Sequence, residues 1–152
     1  MSSWKIRCQV SSFDSATGIR RAATARALRP TAESKEETWE RAFHDASVPN
    51  AVHEALLQGF WHPAQRELTA GYVERYFSDI RPLWDRRPGE IAKNAVQYLF
   101  PPVVEPRTIA AADQWLADAE QPPPLRRLVF EGRDGIARAL RARERDADAA
   151  LQ

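Results

Sequence analysis

A chain of 152 residues, 43% hydrophobic and 28% charged, is long enough to bury a core as one domain and too rich in apolar residues to stay unfolded. Its formal charge of +1 excludes a global field that would steer it to nucleic acid or to a membrane surface. A single thiol, Cys8, excludes an internal disulfide and a cysteine-based zinc cluster, and no apolar run approaches the ~18 residues that a membrane span needs.

In chain order, residues 1–15 fit no helical period and are expected to form an extended or disordered arm. Lys5 and Arg7 are followed by no apolar run of the kind a signal peptide carries, so a cytoplasmic location is expected. From Ala16 the apolar spacing is helical throughout. Ala16–Leu28 places Ile19, Ala23 and Ala27 on one face. Thr31 is a candidate N-cap for a helix that buries Trp39, Ala42, Phe43 and Ala46. Ser47 is expected to cap the next helix, with Pro49 in its first turn and Gly59 loosening its end. Leu68, Val73, Tyr76, Phe77 and Ile80 define a further helix, which Pro82 should kink or break before Leu83 and Trp84. A helix from about Glu90 carries Ile91, Ala95 and Leu99. Thr108 is expected to cap one bearing Ile109, Ala112, Trp115 and Leu116. The last helix runs from about Leu125 to Arg143, with Leu125, Leu128, Val129, Ile136 and Leu140 on its stripe. Gly132 and Gly135 weaken its middle. Residues 146–152 should fray.

Such a series of helices joined by short proline-rich turns predicts an all-α fold over residues 16–145. Antiparallel helix pairs would form a short HEAT-like α-solenoid or superhelical bundle. The expected core residues are Trp39, Tyr76, Phe77, Trp84, Trp115 and Leu128.

One stretch, Val52–His62 (VHEALLQGFWH), opens like the H-E-x-x-H motif of zinc proteases. His53 and Glu54 match, but the second histidine position holds Leu57, which cannot ligate. His62 lies beyond Gly59 and His44 belongs to another helix, so helical spacing brings no two of the three together. His53 and Glu54 read instead as half-exposed residues near a helix N-terminus. The aromatics from Phe60 to Trp115, Tyr98 among them, read as core rather than as a base-stacking platform. The arginines from Arg126 to Arg145 alternate with carboxylates and read as a solvated face rather than a nucleic-acid site. No catalytic, cofactor-binding or metal-binding residue is assigned, and no nucleic-acid or membrane partner is expected.

Taken in order, ATARALRPTAESKEETWERAF, VPNAVHEALLQGFWHP, LTAGYVERYFSDIRPLWDRRP, YLFPPVVEP, ADQWLAD and PPPLRRLVFEGRDGIARALRAR resemble the C-terminal helical domain of bacterial aminopeptidase N enzymes, related to the endoplasmic-reticulum-aminopeptidase type. The resemblance runs from about Ala22 to Arg145, leaving the first fifteen to twenty residues unlike the family. It implies a HEAT-like superhelix that forms a bowl over a zinc active site in an upstream domain. That domain would supply H-E-x-x-H, a further Glu ligand, a Gly-rich exopeptidase motif and a catalytic Tyr, so the parent family's zinc lies outside this chain. His53-Glu54-Ala55-Leu56-Leu57 falls inside the C-terminal domain and is not the family's zinc motif.

The resulting expectation is a non-catalytic fragment or detached remnant of an aminopeptidase, shaping a peptide chamber and packing on a catalytic domain. The Met1 start, unlike the family, points to a detached gene product rather than an excised piece. The alternative is a free-standing helical adaptor that binds a peptide or protein. Retained apolar surface is expected to support self-association.

Overall fold

The computed structural model describes residues 16–150. The expected N-terminal arm and the last two residues lie outside that range. Within the described residues eight α-helices follow one another: α1 (Ala16–Ala27), α2 (Ala32–Phe43), α3 (Asn50–Phe60), the short α4 (Arg66–Thr69), α5 (Tyr72–Arg86), α6 (Gly89–Leu99), α7 (Pro106–Leu116) and α8 (Pro123–Ala150). A 3-10 turn, Pro63–Gln65, leads into α4. Among the described residues there is no strand, so the fold is all-α.

The long helices form two rows. In one row α1 packs on α3, α3 on α6 and α6 on α8; in the other, α2 packs on α5 and α5 on α7. Pairs adjacent in sequence, α2 with α3, α5 with α6 and α7 with α8, join the rows. The main core lies between them, around Trp39, Phe60, Tyr76, Ile80, Leu83, Val96, Leu99, Leu125 and Val129. A smaller cluster of Ala23, Ala27, Val48, Ala55 and Leu56 holds α1 on α3.

Local chemistry explains most helix boundaries, and it corrects several sequence expectations. Thr31 caps α2 as expected, its hydroxyl oxygen accepting from Ser34 N at 3.2 Å. Ser47 does not cap α3. The Asp45 carboxylate accepts from both its N–H and its hydroxyl, at 2.9 and 2.6 Å, and α3 starts at Asn50 with Pro49 in the cap position. Pro82 does not end α5, which continues to Arg86. Both Pro82 and Ser78, whose carbonyl loses its helical donor there, face solvent, so water can satisfy the carbonyl. Thr108 is not a cap either, because α7 begins at Pro106 after Glu105, and Thr108 is buried within its first turn. Helix α8 is described to Ala150, past the expected boundary at residue 146, and its middle carries the i,i+4 pairs Arg127–Glu131 at 2.8 Å and Asp134–Arg138 at 3.5 Å.

Of the expected core, Trp39, Tyr76, Phe77 and Trp115 are buried, whereas Trp84 and Leu128 are half-buried at the edge of the core. Ile19 and Tyr98 are exposed, contrary to expectation, at 48% and 45%. The polar ends of two core aromatics find backbone partners: the hydroxyl of buried Tyr76 donates to Val96 O at 2.8 Å, and Nε1 of half-buried Trp61 donates to Leu99 O at 3.2 Å.

Gly59 does not loosen α3; it lets α1 approach. A Cβ there would stand 2.6 Å from Thr24 O and 2.7 Å from the Ala27 Cβ. Because the first of these is backbone, Gly59→Ala should push the helices apart and cost about 1–3 kcal/mol. Urea denaturation would read the loss; an unchanged midpoint would show that α1 yields freely. Gly132 plays the same part on α8, where a Cβ would meet the Phe100 ring at 2.5 Å.

Candidate functional site

The histidines that raise the metal question are placed apart. His53 lies in the first turn of α3 but is 1% exposed, not half-exposed, because α3 presses that face on the end of α2. Its Nε2 donates to Ala42 O at 2.8 Å. Glu54 points away to solvent, where its carboxylate accepts from Gln58 at 3.3 Å. Leu57 is buried in the main core. His44 ends α2, its Nε2 3.4 Å from Asp79 Oδ2. His62 precedes the 3-10 turn, and its Nδ1 accepts from Ala64 N at 3.2 Å. The His53 side chain is buried with Nε2 engaged by a backbone carbonyl, and Leu57 in the second ligand position has no donor atom for zinc. Among the described residues, no group of three or more His, Cys, Asp or Glu side chains could hold a metal ion.

Burial lowers the His53 pKa below its ordinary value; the bond to Ala42 O opposes this and Arg87 adds to it. The unfolded chain therefore binds the proton more readily than the folded one. His53 thus weakens the fold as pH falls below about 6.5, down to its folded pKa. His53→Gln should flatten that part of the stability–pH curve. Equal slopes for both proteins in urea titrations between pH 7 and 5 would contradict the placement.

The densest polar cluster lies where α2 meets α5, and sequence spacing had not singled it out. Arg75 reaches Glu36 at 2.7 Å, Glu40 at 2.6 Å and Asp79 at 3.5 Å. Glu36 also accepts from the Tyr72 hydroxyl at 2.9 Å, and Asp79 accepts from Trp39 Nε1 at 2.8 Å. The available signal was paired i,i+4 spacing, Glu36 with Glu40 on one helix and Arg75 with Asp79 on the next, flanking Trp39. Hydrogen bonding from Arg75 holds the Glu36 carboxyl below its ordinary range. Burial and Glu36 together push the Tyr72 phenol up to about 12. The carboxylate is thereby a weaker base and the phenol a weaker acid, opposite to what proton transfer between them requires. The cluster ties the second helix row together and offers no acid–base pair.

Lys35 was also missed. It is fully buried, and its Nζ donates to Ala27 O and to Phe60 O, both at 2.7 Å. These are the last residues of α1 and α3, so one ammonium serves two helix C-termini. The signal was legible, since Lys35 precedes Trp39 by four residues on the buried face of α2.

Among the described residues the helices pack in two rows, the architecture of an all-α domain. Its family is the one described as ERAP1-like C-terminal domain, which matches residues 4–138; the chain belongs to that family. The match starts at residue 4, so the first residues do share in the family likeness, in contrast to the expected start near Ala22. The chain is also 49% identical over 136 residues to Aminopeptidase N of Streptomyces lividans. That alignment covers 89% of this chain and 16% of the relative, so the chain spans a small part of that protein's length. Among the described residues, no helix is long and apolar enough to cross a membrane.

Proposed function

We propose that this chain serves as the non-catalytic C-terminal helical domain of an aminopeptidase N-type zinc metallopeptidase. It packs on a catalytic domain and helps to shape the chamber that receives the peptide. The observation that carries this reading is the 49% identity to Aminopeptidase N over 89% of the chain. The two-row order of helices supports a HEAT-like superhelix, because each helix of a solenoid touches the next of its own row and one of the other. A row of this kind offers a long, stiff wall, the physical requirement for one side of a chamber. Hydrolysis would rest on the metal and general base of the catalytic domain.

A chimera tests this. In Streptomyces lividans Aminopeptidase N, the segment matched by this chain is replaced by the chain itself. The chimera should hydrolyse aminoacyl-nitroanilides, whereas the enzyme with the segment simply deleted should lose that activity. A chimera as inactive as the deletion would sink the proposal. The chain alone should bind no zinc and release no nitroaniline, and His53→Ala should alter neither result. Chelator-sensitive cleavage by the isolated chain, abolished by His53→Ala, would overturn the non-catalytic assignment.

A further inference from the structure

We infer that the groove between α5 and α7 binds a lysine or arginine side chain of a peptide. The groove is built from this chain's own residues, so its failure to bind would leave the function proposed above standing.

Helical spacing brings the lining residues together. Glu74 and Phe77 lie three residues apart on α5. Gln114 and Trp115 face them from α7, with Asp118 two residues past its end. The space between is about 350 Å³ and opens to solvent, room for one long side chain rather than for a folded partner.

Buried Phe77 and Trp115 give the groove an aromatic floor, and exposed Glu74 and Asp118 give it an acidic rim. Among the described residues that line it, no lysine or arginine balances these two carboxylates. The nearby cations are engaged elsewhere. Arg81 bonds Asp85 at 2.8 Å and Glu120 O at 3.1 Å. Arg107 holds Glu105 at 2.7 Å and stands 3.9 Å from Glu74. Arg126 donates to the backbone carbonyl of Asp118, whose carboxylate accepts from Glu120 N and Gln121 Nε2, both at 2.9 Å.

The indole of Trp115 adds an independent observation. Trp39 Nε1 donates to Asp79 and Trp61 Nε1 to Leu99 O, but Trp115 Nε1 has no hydrogen-bond partner among the described residues. Trp115 is only 9% exposed, and an indole N–H so enclosed calls for an acceptor. The backbone carbonyl of a bound peptide supplies one; a bare cation does not.

A basic side chain on a peptide matches each part. Its aliphatic stem covers the rings, its cation is attracted by an aromatic face, and its charge meets Glu74 and Asp118. An acidic side chain would meet two like charges, and an apolar one would desolvate the carboxylates without a partner. The groove between α6 and α8 makes no such choice, since Glu90 and Glu131 stand there with Lys93 and Arg127.

The test uses the chain itself, isotope-labelled for NMR, with the terminally blocked peptides Ala-Lys-Ala, Ala-Gln-Ala and Ala-Glu-Ala. Trp115→Phe identifies the Trp115 indole signal. Ala-Lys-Ala should shift that signal saturably and bind about tenfold more tightly than Ala-Gln-Ala, and Ala-Glu-Ala should not bind. Butylamine, the same cation without a carbonyl, should bind more weakly than Ala-Lys-Ala. Glu74→Gln combined with Asp118→Asn should weaken Ala-Lys-Ala about tenfold at an unchanged melting temperature. Glu74→Gln alone, an exposed change on α5, gives part of that loss if the double variant does not fold. Glu90→Gln in the other groove is the control and should change nothing. The site is overturned by the absence of a saturable shift, by equal affinity for the lysine and glutamine peptides, or by full affinity in the neutralised variants. Equal affinity for butylamine overturns the peptide as occupant. So does a shift that grows with chain concentration in the absence of peptide, which would give the groove to a second copy.

Discussion

Trp39→Ala should destabilise the chain by about 3–5 kcal/mol, the cost of removing a large aromatic from a filled core. Trp39 is fully buried and stacks on Phe43 with ring centroids 4.2 Å apart. It also meets Phe60 at 5.1 Å and Tyr72 at 4.9 Å, so α2, α3 and α5 all lean on it. The Arg75 guanidinium lies 5.7 Å from its ring centroid, and its N–H donates to Asp79. The truncation would leave a cavity at the junction of the two helix rows and a carboxylate short of one donor. Trp39→Phe keeps most of the ring and loses the donor, so it should cost less. Urea denaturation of the three proteins measures both steps. A loss near zero for the alanine variant would mean that the rows do not meet at this residue.

The second large effect is expected at Lys35. Lys35→Ala leaves a cavity and strands the carbonyls of Ala27 and Phe60, for a loss of about 3 kcal/mol at neutral pH. Lys35→Met keeps the volume and should recover part of that loss, because only the hydrogen bonds are then missing. Burial lowers the Lys35 pKa to about 8. The unfolded chain, with a pKa of 10.5 for this group, therefore binds more protons between these values. Its contribution to stability thus rises with pH across that window. The gap in stability between wild type and Lys35→Met should accordingly widen from pH 8 to pH 10. A gap that narrows over that range would contradict the lowered pKa, since the two carbonyls would then hold the Lys35 proton more tightly than water does.

Helix existence was legible because an amphipathic helix writes its period into the sequence. Trp39, Ala42 and Phe43, or Val73, Tyr76, Phe77 and Ile80, each mark a face that the structure buries. Several boundaries were not legible, because capping depends on competition between neighbours. Ser47 has the chemistry of a cap, but the Asp45 carboxylate engages it first. Thr108 has it too, but Pro106 starts α7 two residues earlier. Pro82 has the chemistry of a breaker, and only its solvent-facing position shows why α5 tolerates it.

The candidate site divides in the same way. Leu57 in the second ligand position argued from sequence alone against a protease motif, since no fold can make a leucine bind zinc. The burial of His53, by contrast, depends on which face of α3 meets the end of α2. Periodicity says that a helix has an inner face and does not say which backbone carbonyl waits there. The sequence by itself therefore determined an all-helical chain, the apolar stripe of most of its helices and the family likeness. These are properties of residues close together in the chain. Only the tertiary structure decided the sharing of one Lys35 ammonium by two helix ends, the gathering of Glu36, Glu40 and Asp79 about Arg75, and the exposure of Ile19 on α1. Each joins or separates residues far apart in sequence, and their meeting is set by how helices pack rather than by how each one forms.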